Sequence, residues 1–313
     1  MANLFFQATQ VALDNITVAF DFVHPLRASM KYTRRKISEI NVSNPTAEDT
    51  IFQSEVDPNQ EIHGVSYRGS YINTSWEQQE EQLAWLLLNN LFAIHEGWAH
   101  RLYEERFSAK GYKEKTFVKN LEFPGLLSKF STYYAVGSKK SSIMSNAYFD
   151  AYKVSSKLDF NKLENYMLLY RFFKEARNCY MHRGFAASQA IMDAYVAYFP
   201  KATLSDLDAA EVPVIIPPIL GQPVRLNIRG VIGFSQFVRR ILIISDAFLI
   251  MTTAAEDEFL SKKPATWLSR TLSGDVSRSK CQITRYSNKI GLLKPTWSVE
   301  YQNFLIRHGV FNR

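Results

Sequence analysis

Apolar side chains recur at Ala12, Ile16, Phe20 and Val23, one face of a helix spanning residues 5–23. Pro25 predicts the end of that helix, because proline has no N–H to donate. Lys31, Arg34, Arg35 and Lys36 follow as a basic cluster that reads as an exposed helix end. Between 41 and 75 the pattern weakens, and Asn44-Pro45 and Asp57-Pro58 mark turns. Residues 65–74 alternate around Gly69, with Tyr67, Tyr71 and Ile72, and predict a short β-hairpin.

Thr74-Ser75-Trp76-Glu77-Gln78 then reads as a helix start, with Thr74 or Ser75 as the cap. Its apolar stripe, Leu87, Leu91, Ile94, Trp98 and Leu102, carries the helix to about Phe107. A polar, lysine-rich connector follows at 109–115. Helices are expected around 115–135, with Pro124 interrupting or capping, and around 141–157. Leu163, Tyr166, Tyr170 and Phe173 recur at spacings of 3, 4 and 3, so another helix runs from Leu163 into His182. A further helix is expected over 185–199, ending before Pro200. Residues 212–223 hold four prolines and read as an extended connector that could include a short strand pair. Residues 233–260 read as one long helix, closed by Glu256-Asp257-Glu258, an unfavourable sign at a helix C-terminus. Trp267, Trp297, Tyr301 and Phe304 are candidate anchors for the last stretch.

These elements predict an all-α fold in three parts: an N-terminal helix and irregular or hairpin segment (1–76), a bundle of four or five helices (77–200), and a basic helical region packed on the bundle (201–313).

Composition adds compartment and charge. Two cysteines, Cys179 and Cys281, cannot build a disulfide framework or a cysteine-rich zinc site, which favours a reducing compartment such as the cytoplasm. The first residues lack the basic and apolar regions of a signal peptide. The most apolar window, 232–252, is interrupted by Arg239, Arg240 and Asp246, so no membrane span is expected. The net charge is +7. Residues 262–313 contribute ten Lys or Arg against two Asp or Glu, so the basicity belongs to that region. It is either a phosphate-backbone contact or a solubilising surface.

The candidate chemistry lies at the end of the helix that starts at Leu163. Arg177 falls four residues after Phe173, so the next place on the apolar stripe is a cation. A guanidinium aimed at the buried side is costly unless it is paired or used. His182 ends the segment and can exchange a proton near neutral pH. His95 and His100 stand five apart, about 140° around a helix, so they do not clamp a zinc ion as an i,i+4 pair does.

Arg177-Asn178-Cys179-Tyr180-Met181-His182 resembles the R-x(4–6)-H signature of HEPN domains, all-helical modules of which many are endoribonucleases. The resemblance covers roughly 82–200 and extends to Arg183-Gly184 and the aromatic lead-in. It implies metal-independent RNA cleavage with no cofactor, on single-stranded or tRNA-like RNA. It also implies a homodimer with a composite site, and a bacterial toxin or antiphage-defence role in which an antitoxin or other regulatory partner restrains the enzyme. Glu96 or His100 is a candidate supporting polar residue from the neighbouring helix; plain surface exposure is the alternative for either. In such a reaction the RNA 2′-hydroxyl attacks the adjacent phosphorus. His182 would act as base or acid, Arg177 would stabilise the developing charge, and Asn178 would hold the phosphate or the imidazole. Lys174, Arg183 and the basic C-terminal region would carry the backbone. Tyr180 either stacks on a base or is a core aromatic. A non-catalytic HEPN-like scaffold, or a helical nucleic-acid-binding protein without chemistry, are the alternatives.

Overall fold

The stripe through Ala12, Ile16 and Val23 does form a helix, but that helix does not stop at Pro25. In the computed structural model, which describes residues 3–59, 64–108, 114, 140–265, 267 and 269–313, α1 runs over Gln7–Ser43 with Pro25 inside it. Proline leaves the carbonyl of Asp21 without its helical donor. Asp21 and Pro25 are both exposed, so water can take that carbonyl. Beyond the proline, Leu26 and Met30 pack on the main core. Ile37 joins Ala47, Phe52 and Tyr67 in a second, smaller one. That packing outweighs one lost hydrogen bond.

The expected hairpin at 65–74 is not formed. A short helix, α2, spans Asp49–Val56, and Gly69–Asn73 is a π-helical turn. Tyr67 is drawn into the second core. Arg68 bonds Asn41 Oδ1 at 2.8 Å and the carbonyl of Ala47 at 2.8 Å. These contacts reach back to α1 and its following turn, and override the local alternation.

Ser75 caps α3, Trp76–Leu102, by a reciprocal capping box with Gln78. A π-helical turn, Tyr103–Phe107, extends it to the residue expected from the stripe. The helix expected at 115–135, and the connector before it except Glu114, lie outside the described residues. Ser142–Met144 and the π turn Ser145–Phe149 lead into α4, Asp150–Ser156. The motif helix, α5, is Leu163–His182.

The next helix, α6, is Gln189–Tyr198 and starts four residues later than its apolar content suggested. Gly184 and Phe185 take left-handed backbone, with φ of 55° and 70°. Residues 185–187 then pair in extended form with 221–224: Val224 N–H donates to Phe185 O and Ala187 N–H to Gln222 O.

Asn227 caps α7, Ile228–Leu249. The single long helix expected over 233–260 is in fact two, because α8 is Ala254–Ser261. The break is held from outside: Ser141 N–H donates to Met251 O at 3.0 Å, and Ser141 Oγ bonds Glu256 at 2.6 Å. Glu256 and Asp257 therefore lie in the first turn of α8, where negative charge is favourable. The conflict expected at a helix C-terminus does not arise.

Helices α9, Val276–Lys289, and α10, Val299–Arg307, complete the chain. A parallel pair joins Arg270–Thr271 to Phe311–Asn312. One core includes residues of all three stretches, from Phe5 through α1, α3, α5 and α7 to Phe311. The start of α1 is tied down by carboxylates distant in sequence. Asp246 accepts from the N–H groups of Phe5 and Phe6 at 2.7 and 3.1 Å, and Glu258 accepts from Gln7 at 3.0 Å. Among the described residues no helix is long and apolar enough to cross a membrane.

Candidate functional site

Helices α3 and α5 run antiparallel along a shared aromatic seam. Trp85 stacks on Tyr180 with ring centres 4.7 Å apart. Ten residues along α3, His95 Nδ1 lies 3.1 Å from the Tyr170 hydroxyl. Arg177 belongs to this seam, as the stripe requires. Its Nη1 donates to Glu96 Oε1 at 2.8 Å, and its guanidinium carbon lies 5.8 Å from the Phe92 ring centre. The two side chains are 24% and 26% exposed, so the pair is half-shielded and reachable from solvent. Arg177 Nε is buried and has no hydrogen-bond partner among the described residues.

Of the two polar candidates on the neighbouring helix, Glu96 is the one that meets the arginine. It sits one turn after Phe92, on the same face of α3. Among the described residues His100 is hydrogen-bonded to neither Arg177 nor His182. It is exposed and lies 3.1 Å from Glu114.

His182 is the last residue of α5 and is exposed. Among the described residues no hydrogen bond engages its ring. The five-residue step from Arg177 rotates it about 140° and advances it about 7.5 Å. The arginine therefore faces the seam while the histidine faces solvent, and the two do not converge within one chain. Asn178 Nδ2 lies 3.4 Å from Glu175 Oε2, a long contact that leaves the amide able to rotate.

Lys174 is placed away from the surface where RNA would meet it, and Tyr180 packs against the core, the second of its two readings. Lys174 is buried, at 7% exposure, because it faces the core beside His95 rather than the surface. Tyr180 is a seam aromatic: Trp85 covers one face, and Phe185 meets it edge-on at 4.7 Å. Arg183 is exposed at the helix end. Cys179 is buried against Ser188, with its sulfur 3.6 Å from Oγ, and behaves as a small apolar residue.

The C-terminal basic region is partly committed to its own packing. Lys280 lies over Trp297 and Lys289 over Trp267, at 4.9 and 5.1 Å from the ring centres. Lys262 pairs with Glu258, and Lys263 bonds Gly309 O.

The sequence pattern alone did not single out the aromatic ledge of Trp85, Phe92 and Phe185. The signal was present in the four-residue spacing of Phe92 and Glu96, but an aromatic on a helix face is most often core. His95, buried between Trp98 and Tyr170, is held neutral: burial first and Lys174 second push its pKa down to about 3. No group of three or more His, Cys, Asp or Glu side chains among the described residues is placed to hold a metal ion. Neither family models, nor curated proteins, nor solved structures match this chain.

Proposed function

We propose that this chain is a metal-independent endoribonuclease of the HEPN type, cutting single-stranded or tRNA-like RNA. The observation that carries the reading is the placement of Arg177. Its guanidinium is half-shielded and reachable from solvent, less than two helical turns before an exposed histidine whose ring no described residue engages. Arg177 supplies fixed positive charge to the phosphorane-like transition state. His182 moves the proton of the 2′-hydroxyl or of the leaving 5′-oxygen, and Asn178 orients one of the two.

Because the arginine and histidine diverge within one chain, the reading requires two copies that bring both motifs to a shared cleft. Met181, Phe185, Ile219 and Leu220 support such pairing. All four are apolar and exposed, and the 219–224 segment is tied by backbone hydrogen bonds to 185–187, next to the motif. Growth arrest as a toxin or defence effector, restrained by an antitoxin, is the role this activity would serve.

The second reading is a non-catalytic helical partner. The 2.8 Å bond to Glu96 favours it, since that charge is already compensated.

The test incubates purified protein with total RNA and tRNA in EDTA, comparing wild type with His182→Ala. The nuclease reading expects cleavage by wild type alone, with 2′,3′-cyclic phosphate ends. Equal cleavage by both proteins would refute it, and intact RNA in every lane would favour the non-catalytic partner.

A further inference from the structure

The basic cluster of α1 is not a bare helix end. Lys31, Arg34 and Arg35 line an open groove of about 680 Å3 together with Tyr32, Ser38 and Trp76. Trp76 is the first residue of α3, so the groove is walled by two helices. Arg34 is fixed by bonds to Thr74 O at 2.8 Å and Gln79 Oε1 at 3.2 Å. Arg35 lies over the Tyr32 ring, 5.5 Å from its centre, and Tyr32 is 57% exposed. Lys31 is exposed and pairs with no described residue. Glu39 stands 3.7 Å from both Arg35 and Lys36, and Glu77 borders Trp76. Four cations against two carboxylates leave the surface positive, and exposed ion pairs at such distances bind weakly.

This groove and the His182 end of the motif lie toward the start of α3, while Arg177 pairs farther along it, at Glu96. Arg34 reaches Gln79. Two residues on, Glu81 accepts from Arg225 Nε and from Leu226 N–H. Val224 in turn donates to Phe185 O, and Phe185 packs edge-on to Trp85 at 6.0 Å. Phe185 is three residues from His182. By rise per residue, Trp76 and Trp85 lie about 14 Å apart along the helix, a few nucleotides of extended strand.

We propose that this groove docks single-stranded RNA and leads it toward the motif, an inference that rests on the nuclease reading for its choice of RNA. Cations along a groove wall can track phosphates, and the exposed Tyr32 ring and half-buried Trp76 offer faces on which unpaired bases stack. The rings line a concavity flanked by charge, which suits a threaded strand better than a lipid surface, where apolar groups project. Four of the ten C-terminal cations, Lys262, Lys263, Lys280 and Lys289, are engaged by intramolecular partners.

The test measures binding in a His182→Ala background, so that cleavage does not interfere. A fluorescent oligouridine of about 20 nucleotides is titrated by anisotropy at about 50 and 200 mM salt, spanning the range over which phosphate contacts are lost. Lys31→Glu combined with Arg35→Glu is expected to weaken binding about tenfold or more. It should also flatten the log–log salt slope by about 1.4, two contacts at about 0.7 each. Tyr32→Ala is expected to weaken binding about fivefold or more at unchanged slope. All three positions are exposed, and an unchanged melting temperature confirms that the fold is kept. Affinity and slope unchanged in the double variant would overturn the proposal. So would binding to phosphatidylserine vesicles with none to the oligonucleotide. Oligonucleotide binding without any cleavage by wild type would refute the nuclease reading and leave the groove standing. Cleavage with an unaffected double variant would do the reverse.

Discussion

At the scale of single residues, Arg177 and His182 sit in different surroundings within one six-residue motif. Arg177 is woven into the α3–α5 seam, so Arg177→Ala should cost stability as well as activity. The loss is expected at about 1–2 kcal/mol in urea denaturation, since a half-shielded Glu96 is left without its partner. His182 is exposed and hydrogen-bonded to no described residue, so His182→Ala should stay within about 0.5 kcal/mol of wild type while abolishing cleavage. Two other residues set the pH dependence. Asp246 is fully buried, and burial raises its carboxyl to about 7 despite the bonds from Phe5 and Phe6. The unfolded chain releases this proton first, so its contribution falls as pH rises from about 4 to about 7. His95 works in the opposite sense. Its folded pKa is about 3, so the unfolded chain takes up the proton first and stability falls as pH drops below about 6.5. The two trends oppose each other between about pH 4 and 6.5. His95→Gln is therefore expected to expose the Asp246 trend, with denaturation midpoints that decline steadily from about pH 4 to 7. A midpoint rising with pH across that window would contradict the assignment. The sequence placed Arg177 on the buried face because its spacing from Phe173 is local information. It did not place Lys174, which faces the core beside His95, and it left Tyr180 open between base stacking and the core, because Trp85 and Phe185 lie elsewhere in the chain.

At the scale of elements, the informative cases are those where packing decided the outcome. Helix α1 passes through Pro25 because its second half has Ile37, Leu26 and Met30 to bury. Pro25→Ala restores the missing N–H, and should stabilise the protein by about 1–3 kcal/mol, with the proline's entropic advantage subtracted. An unchanged or lower midpoint would mean that the helix is adapted to the proline. Helix α7 meets the proline-rich strap so closely at Gly230 that a Cβ there would lie 1.9 Å from the carbonyl of Val214. That carbonyl is backbone and cannot rotate away, so Gly230→Ala is expected to cost about 3 kcal/mol or displace the strap. A neutral effect in thermal unfolding would show that the strap is not clamped. The helices α3 and α5 were legible because long amphipathic stripes dominate their sequences. The break between α7 and α8 was not, because Ser141 imposes it from a hundred residues away.

At the scale of the whole molecule, the all-α class was readable from periodicity, and the two-residue parallel pair is the small exception. The hairpin expected at 65–74 failed because a second core around Phe52 captured Tyr67. The charge distribution looked like a matter of the last fifty residues. In the fold several of those cations stack or pair internally, while the smaller cluster on α1 opens onto a groove walled by the start of α3. If two copies join through the apolar rim of the motif, Leu220→Asp should shift sedimentation from dimer to monomer and reduce cleavage in proportion. A monomeric wild type that still cuts RNA would remove the composite site. The central claim, attack by the RNA's own 2′-hydroxyl under Arg177 and His182, is tested most directly by one comparison in EDTA. Wild-type protein is given an RNA and the same sequence with every 2′-hydroxyl methylated. The account predicts that only the unmodified strand is cut and that its products end in 2′,3′-cyclic phosphate. Cleavage of both strands, or products ending in 3′-hydroxyl, would contradict it.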